Sequence, residues 1–135
     1  MKKILCIFFC VILLSGCNKD IRSYEYVGES DNWEVVYKYK VNYLKNGDND
    51  SENDMKINYK GEIEKLANGE VIKVTYKIGA KSGSDTLVVE DVSESFDIGG
   101  PGGLNASTLQ GSEVGIITVS WGENYEEFEI KSSKE

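Results

Sequence analysis

Hydrophobic and polar positions alternate along several short stretches of this chain, the pattern of β-strands buried on one face. The longest stretch runs from Trp33 to Tyr43. Apolar or aromatic side chains occupy every second position there, at Trp33, Val35, Tyr37, Tyr39, Val41 and Tyr43. Mostly polar residues fill the positions between them. The pattern therefore predicts a long half-buried strand, preceded by a weaker one around residues 24 to 27.

The dipeptide Asn68-Gly69 predicts a β-hairpin, since it suits a type I′ turn with positive φ at both residues. A two-residue turn at this place gives three apolar pairs on one face: Tyr59 with Ile78, Ile63 with Val74, and Leu66 with Val71. It also sets Glu64 opposite Lys73 on the other face, so both faces agree with this register. One turn of helix over residues 63 to 67 is the alternative, and it loses these pairs.

Two further hairpins are predicted downstream. A turn over residues 81 to 84, centred between Ser82 and Gly83, extends the first hairpin into a meander. It brings Leu87 opposite Ile78 and Val89 opposite Tyr76. The stretches 115 to 121 and 125 to 131 form a last hairpin around Glu123-Asn124. That turn pairs Val119 with Phe128 and Ile117 with Ile130.

Two segments show no apolar period and are predicted to be connections. Residues 45 to 55 are polar and acidic, and residues 92 to 111 form a long connection that crosses between sheets. About seven strands, one meander and one long crossover predict an antiparallel β-sandwich of immunoglobulin-like size. This single domain is expected over residues 24 to 135.

The N-terminal residues have the organisation of a signal peptide. Lys2 and Lys3 give a positive start, and residues 4 to 14 form an apolar stretch too short to span a bilayer. The stretch ends at Leu14, Ser15, Gly16 and Cys17, a sequence that resembles the lipobox of bacterial lipoproteins. An ordinary secretory signal with an incidental cysteine is the alternative.

The lipobox resemblance implies that a signal peptidase cuts after Gly16 and that Cys17 becomes a lipidated N-terminus. Residues 1 to 16 are then the signal peptide, and residues 17 to 23 are the lipidated terminus with a short tether. The protein would be held by diacylglycerol at the extracytoplasmic face of the cell membrane. The other cysteines, Cys6 and Cys10, lie within the removed segment, so the mature monomer has no disulfide.

The formal net charge is −8, and it becomes −10 once Lys2 and Lys3 are removed with the signal peptide. Such an excess repels nucleic-acid phosphates and anionic lipid headgroups, and attracts cationic partners or metal ions. Nucleic acid is therefore not expected as a partner. Solubility alone is the other explanation of this charge.

The chain has no histidine, which excludes the Ser/His/Asp triad and the commonest zinc ligand. Thiol catalysis is excluded as well, because lipid would occupy the sulfur of Cys17. An enzyme would need a carboxylate pair or a metal-assisted site. The acidic residues Glu126, Glu127 and Glu129 are expected to form a solvated strand face, and no cofactor is predicted.

Acidic residues alternate at Asp48, Asp50, Glu52 and Asp54, and carboxylates at such spacing are weak candidates for holding Ca²⁺. The EF-hand template fails here, because its sixth position from Asp48 is Asn53 and its twelfth is Tyr59. A solvated acidic loop is the favoured interpretation.

A candidate binding loop follows at Phe96, Ile98, Gly99, Gly100, Pro101, Gly102 and Gly103. Its glycines do not form a phosphate-binding motif, since no such pattern follows a strand into a helix here. A flexible loop on a rigid scaffold could let Phe96 and Ile98 dock on a partner. A plain connector between sheets is the alternative.

The polar turn before Trp33, at residues 28 to 32, and the strand carrying Ile117, Val119 and Trp121 resemble those of small membrane lipoproteins of Gram-positive bacteria. That resemblance implies a β-sandwich domain and no known activity. The expected function is a non-enzymatic binding or interaction module, with a protein, peptide or ion as its partner, cationic ones included. The alternative is a carboxylate- or metal-dependent hydrolase acting on cell-envelope material.

Overall fold

The computed structural model describes residues 20–62, 66, 69–89, 95–104 and 107–133. The signal peptide, the lipobox and Cys17 lie outside these residues. Within them the chain forms eight strands, and their bounds are β1 Asp20–Glu29, β2 Trp33–Tyr43, β3 Asn49–Tyr59, β4 Val71–Ile78, β5 Lys81–Val88, β6 Ser95–Leu104, β7 Gly115–Trp121 and β8 Asn124–Ser132.

The eight strands join into one sheet in the order β5-β4-β7-β8-β1-β2-β3-β6, and every neighbouring pair is antiparallel. The junction between its two halves is short. There, Tyr26 and Val27 of β1 pair with Ser132 and Lys131 of β8. The prediction of an all-β, antiparallel fold is confirmed. The division into two separate sheets of a sandwich is not confirmed, because one continuous curled sheet is present.

The curl of the sheet encloses an aromatic core. Trp33 of β2 contacts Trp121 of β7 with ring centroids 5.3 Å apart, although β8 and β1 separate these strands in the sheet. The ring centroids of Tyr37 of β2 and Tyr76 of β4 are likewise 6.1 Å apart. The two halves therefore face each other across their apolar sides, and this burial is the main favourable term in folding.

The strand predicted at Trp33 to Tyr43 is confirmed as β2. Its apolar positions Trp33, Val35, Tyr37, Tyr39 and Val41 are each at most 1% exposed. The weaker strand predicted around residues 24 to 27 is confirmed as well, and it is longer, since β1 begins at Asp20. Residues 20 to 23, assigned from the sequence to the tether, therefore pair with the end of β2.

The hairpin predicted at Asn68-Gly69 is wrong. Tyr59 pairs with Trp33 in the β2–β3 ladder, whereas β4 lies between β5 and β7. Gly69 does have positive φ, at 86°, but its N–H donates to the carbonyl of Val89. Ile63, Glu64 and Asn68 lie outside the described residues. A period-two pattern determines which face of the sheet a residue occupies, but it does not determine which strand lies beside it. The agreement of both faces with the predicted register was therefore not evidence that these two strands are neighbours.

The other two hairpins are present with different registers. The β4–β5 turn is at Gly79-Ala80, where Ile78 pairs with Lys81, and the β7–β8 turn is at Gly122-Glu123. Ile117 faces Phe128. Gly79 and Gly122 have φ of 56° and 57°, a conformation that glycine adopts without steric cost. These turn residues set the register, and both shifts are even, so each side chain keeps its predicted face.

Both segments predicted to be connections contain strands. The acidic segment of residues 45 to 55 enters β3 at Asn49, and β3 pairs with β2 along its whole length. The segment of residues 92 to 111 contains β6, which pairs with β3 at one edge of the sheet. Backbone pairing with an already formed neighbour outweighs the low strand propensity of both segments.

Candidate functional site

An open groove of about 730 Å³ lies on the outer face of β1, β2 and β3, the face turned away from the aromatic core. We call it the outer groove. Its lining includes polar and charged residues from all three strands: Ser23, Glu25, Lys38, Lys40, Glu52 and Asp54. Ser133, just past the end of β8, borders it as well. A concave surface with converging charged groups is the kind of place where proteins bind ligands.

The strand register arranges these side chains in two rows across the sheet. One row is Ser23, Lys40 and Glu52, and the next is Glu25, Lys38 and Asp54. In both rows a lysine of β2 stands between a residue of β1 and a carboxylate of β3. Neighbouring strands lie about 4.8 Å apart, so the groups in one row are close enough to act on one ligand.

The two lysines of the outer groove differ in their pairing. Lys40 Nζ lies 3.5 Å from Glu52 Oε1, an ion pair whose side chains are half exposed or more. Across the described residues, Lys38 forms no ion pair with Glu25 or Asp54, although it lies opposite both. This row therefore keeps one ammonium and two carboxylates available to a ligand.

On the opposite, core-facing side of the sheet, two tyrosines stack behind the outer groove. The rings of Tyr24 and Tyr39 lie nearly parallel, with centroids 6.5 Å apart and an interplanar angle of 10°. Lys81 of β5 places its ammonium 5.2 Å from the Tyr39 ring, a cation–π contact between the two halves of the sheet. Burial lowers the pKa of Lys81 and raises that of Tyr39.

A second polar cluster, centred on Glu113, fastens the segment before β7. The Tyr26 hydroxyl donates to Glu113 Oε2 at 2.7 Å, and the N–H groups of Gln110 and Gly111 also donate to this carboxylate. Burial opposes ionisation of Glu113, but the hydrogen bonds outweigh it and its pKa lies below the ordinary value. Burial and the neighbouring carboxylate raise the pKa of Tyr26. The Glu113 carboxylate thus accepts hydrogen bonds from three donors of its own chain and holds residues 110 and 111 against Tyr26 of β1.

A third cluster joins the β1–β2 turn to β8. The N–H and the Nδ2 of Asn32 donate to the two oxygens of Glu126, at 3.0 and 2.7 Å. Burial again opposes ionisation, but hydrogen bonding by Ser30 and Asn32 and the charge of Lys60 outweigh it, so the pKa of Glu126 is lowered. Lys60 adds an ion pair to Glu29 at 3.0 Å. Glu126 is thus a structural acceptor, while Glu127 and Glu129 are exposed on β8 as expected.

The acidic residues considered for calcium occupy a turn and a strand, which corrects the prediction of one acidic loop. Asp50, Glu52 and Asp54 lie on the outer face of β3, two residues apart. That spacing separates successive carboxylates by about 7 Å, too far for one ion that needs oxygens at about 2.4 Å. Asp48 lies in the β2–β3 turn. Among the described residues no group of three or more potential ligands could hold a metal ion.

The candidate binding loop is also corrected, because Phe96, Ile98 and the run Gly99 to Gly103 belong to β6. Ile98 pairs with Met55 and Pro101 with Glu52, and the register shifts between Ser51 and Glu52. An edge strand tolerates proline, which cannot donate a ladder hydrogen bond. Gly99 stands opposite Asp54 and brings no side chain beside it.

The outer groove was not predicted from the sequence. The polar outer face of β3 alternates with Ser51 and Asn53, which are polar too, so the period-two signal is hidden over half of the strand. One signal of the groove was present in the sequence, namely that Lys38 and Lys40 lie on the same face of a long strand. The acidic residues beside these lysines could be identified only once the order of β1, β2 and β3 was known.

Comparison of the chain with protein families, with curated proteins and with solved structures finds no match. Over the described ranges, no helix has the length and hydropathy needed to cross a membrane.

Proposed function

We propose that this protein is a lipid-anchored, extracytoplasmic binding module, and that the outer groove is the surface with which it binds a cationic partner. The groove supplies the observation on which the proposal depends. Three carboxylates, Glu25, Glu52 and Asp54, outnumber its two lysines, on a protein whose net charge is already strongly negative. Such a field raises the local concentration of cationic ligands and speeds their association.

The chemistry of the groove favours a basic peptide segment. Lys40 engages Glu52, so Glu25 and Asp54 are left to accept cationic side chains. Lys38 between them offers a donor, and the carbonyl groups of an extended peptide are suitable acceptors. A peptide that carries lysine or arginine thus offers partners to the two carboxylates and to the ammonium of the row, whereas a simple cation leaves Lys38 unmatched.

The anchor part of the proposal rests on the sequence Leu14-Ser15-Gly16-Cys17 and on the apolar segment before it. A diacylglycerol carries two acyl chains, and two chains hold a protein stably where one holds it only marginally. Mass spectrometry of the native protein tests this directly. The expected N-terminus is an acylated Cys17, and Cys17→Ala is expected to release the protein from the membrane fraction. A mature form that starts elsewhere contradicts the anchor.

The binding part is tested with the lipid-free chain of residues 18 to 135 and a labelled oligolysine peptide, with an uncharged peptide of equal length as control. Binding of the basic peptide is expected to weaken as salt rises, because screening reduces the attraction between exposed charges. The uncharged peptide is expected not to bind. Equal binding of both peptides, or binding insensitive to salt, contradicts the proposal.

A charge-matched pair of variants separates the groove from the overall charge. Glu25→Gln with Asp54→Asn removes two carboxylates of the groove, and Glu123→Gln with Glu127→Gln removes two exposed ones elsewhere. The groove variant is expected to weaken oligolysine binding by roughly fivefold or more, at about 0.5 kcal/mol or more per exposed charge. The matched variant is expected to change it by less than about twofold. Equal losses would assign binding to net charge alone.

An enzymatic role would show itself differently. Turnover of cell-envelope material that disappears on changing one carboxylate, with peptide binding unaffected, would contradict a binding module. Glu113 and Glu126, whose pKa is lowered, lie outside the outer groove and accept hydrogen bonds from their own chain. A proton donor in catalysis needs the opposite shift, a raised pKa.

A further inference from the structure

We infer that one end of the sheet is a membrane-contacting tip, formed by Ile21, Arg22, Tyr43, Leu44 and Lys45, which seats the domain on the lipid surface. The inference rests on the proposed lipidation of Cys17. Only residues 18 and 19 separate Cys17 from Asp20, the first residue of β1. At about 3.5 Å per residue, Asp20 then lies within roughly 11 Å of the anchored residue. The end of the sheet that contains Asp20 must therefore be the end next to the bilayer.

The membrane-contacting tip exposes apolar side chains at this end. Ile21 is 48% exposed and Leu44 is 36% exposed, one on β1 and the other directly after β2. Ile21 follows Asp20 and Leu44 follows Tyr43 in the sequence. Because Asp20 pairs with Tyr43, Ile21 and Leu44 lie at the same end of the β1–β2 ladder. Each aliphatic side chain buried in lipid contributes favourably in proportion to the apolar area removed from water.

The turn that carries Leu44 is held in a defined conformation. The N–H of Leu44 donates to the carbonyl of Asp48 at 2.8 Å, and the N–H of Gly47 donates to the carbonyl of Leu44 at 3.1 Å. Gly47 has φ of 89°, which glycine tolerates. Leu44 and Lys45 are consequently presented to solvent by a closed turn.

The other residues of the tip are those found at membrane–water interfaces. The guanidinium of Arg22 lies 5.1 Å from the centre of the Tyr43 ring. Tyrosine rings suit the headgroup level, and arginine and lysine extend apolar stems into it while their charges remain in water. Lys45 adds a cation for which the structure shows no ion pair among the described residues, and an anionic lipid surface attracts it.

An ion pair offsets the charge of one acidic residue at this end, since Arg22 lies 3.3 Å from Asp20. Asp48 accepts a hydrogen bond at 2.8 Å from the neutral amide Nδ2 of Asn46. Asp50 lies in the same cross-strand row as Ile21, two strands away. The net negative charge of the whole domain favours an orientation with its acidic bulk away from anionic lipid. The tip is then the part of the protein that can approach the surface.

The test places a fluorescent probe at the tip and a matched probe at the opposite end. Trp33 and Tyr43 begin and end β2, ten residues apart, or about 33 Å. Both native tryptophans lie at the Trp33 end, since Trp121 contacts Trp33. Val71, 52% exposed beside the Ile72–Trp121 pair, gives the control position. Leu44→Trp and Val71→Trp are therefore comparable exposed substitutions at opposite ends.

The full lipidated chain is reconstituted into phosphatidylcholine–phosphatidylglycerol vesicles with and without brominated acyl chains, which quench tryptophan on close approach. The added fluorescence of Leu44→Trp is expected to be quenched several-fold more than that of Val71→Trp. Equal quenching of the two variants in vesicles that retain the protein overturns the tip. Flotation with the vesicles reports the anchor separately, with Cys17→Ala as its control. Failure of the wild type to float overturns the anchor, and the tip with it.

Discussion

The indole rings of Trp33 and Trp121 meet edge to face, with their centroids 5.3 Å apart and their planes at 77°. Trp33 begins β2 and Trp121 ends β7, and two other strands lie between these in the sheet. The contact exists only because the sheet curls until its halves face each other. This pair therefore reports the tertiary fold rather than the local pairing of strands.

The coupling of the two indoles is expected to give an exciton couplet in the far-UV circular dichroism spectrum. Both Trp33→Phe and Trp121→Phe are expected to abolish it, because either change removes one partner. Tyr125→Phe, at a side chain that is 63% exposed, serves as control and leaves the couplet intact. Trp121→Ala is expected to cost about 3 kcal/mol of unfolding free energy in urea, as for other buried aromatic truncations. A spectrum that Trp121→Phe leaves unchanged would contradict the contact between Trp33 and Trp121.

The sequence predicted which face of the sheet each side chain occupies, but it did not predict which strands are neighbours. Trp33 to Tyr43 shows clean alternation because its apolar positions face a continuous core. In the β4–β5 and β7–β8 hairpins the predicted registers are off by even numbers of residues, since hydrophobic alternation determines only the face. Glycines at positive φ, Gly79 and Gly122, select the observed turns, whereas the predicted turns were placed between Ser82 and Gly83 and at Glu123-Asn124.

The outer groove was missed for a related reason. Half of β3 is polar on both faces, and β6 contains four glycines and a proline within residues 99 to 103. Neither segment shows the signal of a strand, although each pairs with a neighbour once β2 is in place. Because the groove combines charges from β1, β2 and β3, it becomes visible only when all three are aligned.

Stability is expected to fall in acid through Glu113. Its folded-state pKa lies below the ordinary value of 4.5, so its stabilising contribution is complete above about pH 5 and is lost as pH falls through the folded pKa. Glu113→Gln is expected to lower the unfolding free energy at pH 7 by about 1 kcal/mol or more, and to flatten its decline below pH 5.

Urea unfolding of the wild type and Glu113→Gln from pH 7 to pH 3 checks this expectation. Glu123→Gln, in the exposed β7–β8 turn, is the control and is expected to change the unfolding free energy by less than about 0.5 kcal/mol. An unchanged stability of Glu113→Gln at pH 7 would show that the carboxylate does not fasten the segment before β7.

Gly28 is required where β1 crosses β8. A Cβ built at this position would lie 2.1 Å from the carbonyl oxygen of Glu129 and 2.8 Å from Ile130 Cγ2, which forces the strands apart. Gly28→Ala is expected to cost about 2 kcal/mol or more of unfolding free energy. Gly47→Ala is the control, since a Cβ there meets nothing within 4 Å and pays only for its φ of 89°, about 1 kcal/mol. Equal stability of Gly28→Ala and wild type would refute the close approach of β1 and β8.

Calcium is expected to bind the acidic outer face of β3 weakly, if at all. Asp50, Glu52 and Asp54 project from one face at about 7 Å intervals, and Lys40 already pairs with Glu52. Thermal melts of residues 18 to 135 in chelator and in millimolar calcium are expected to agree within about 2 °C, which corresponds to less than about 0.5 kcal/mol. A rise of many degrees that Asp50→Asn abolishes would make this face a metal site and would displace the peptide proposal.

Amide chemical shifts locate a bound peptide residue by residue and so decide whether the outer groove is the binding surface. Labelled protein of residues 18 to 135 is titrated with oligolysine while its ¹⁵N–¹H spectrum is recorded. The largest shifts are expected in three segments, residues 23 to 25, 38 to 40 and 52 to 54, with little change on the outer face of β7 and β8. Shifts centred on Glu127 and Glu129, or spread evenly over all exposed acidic residues, would contradict it.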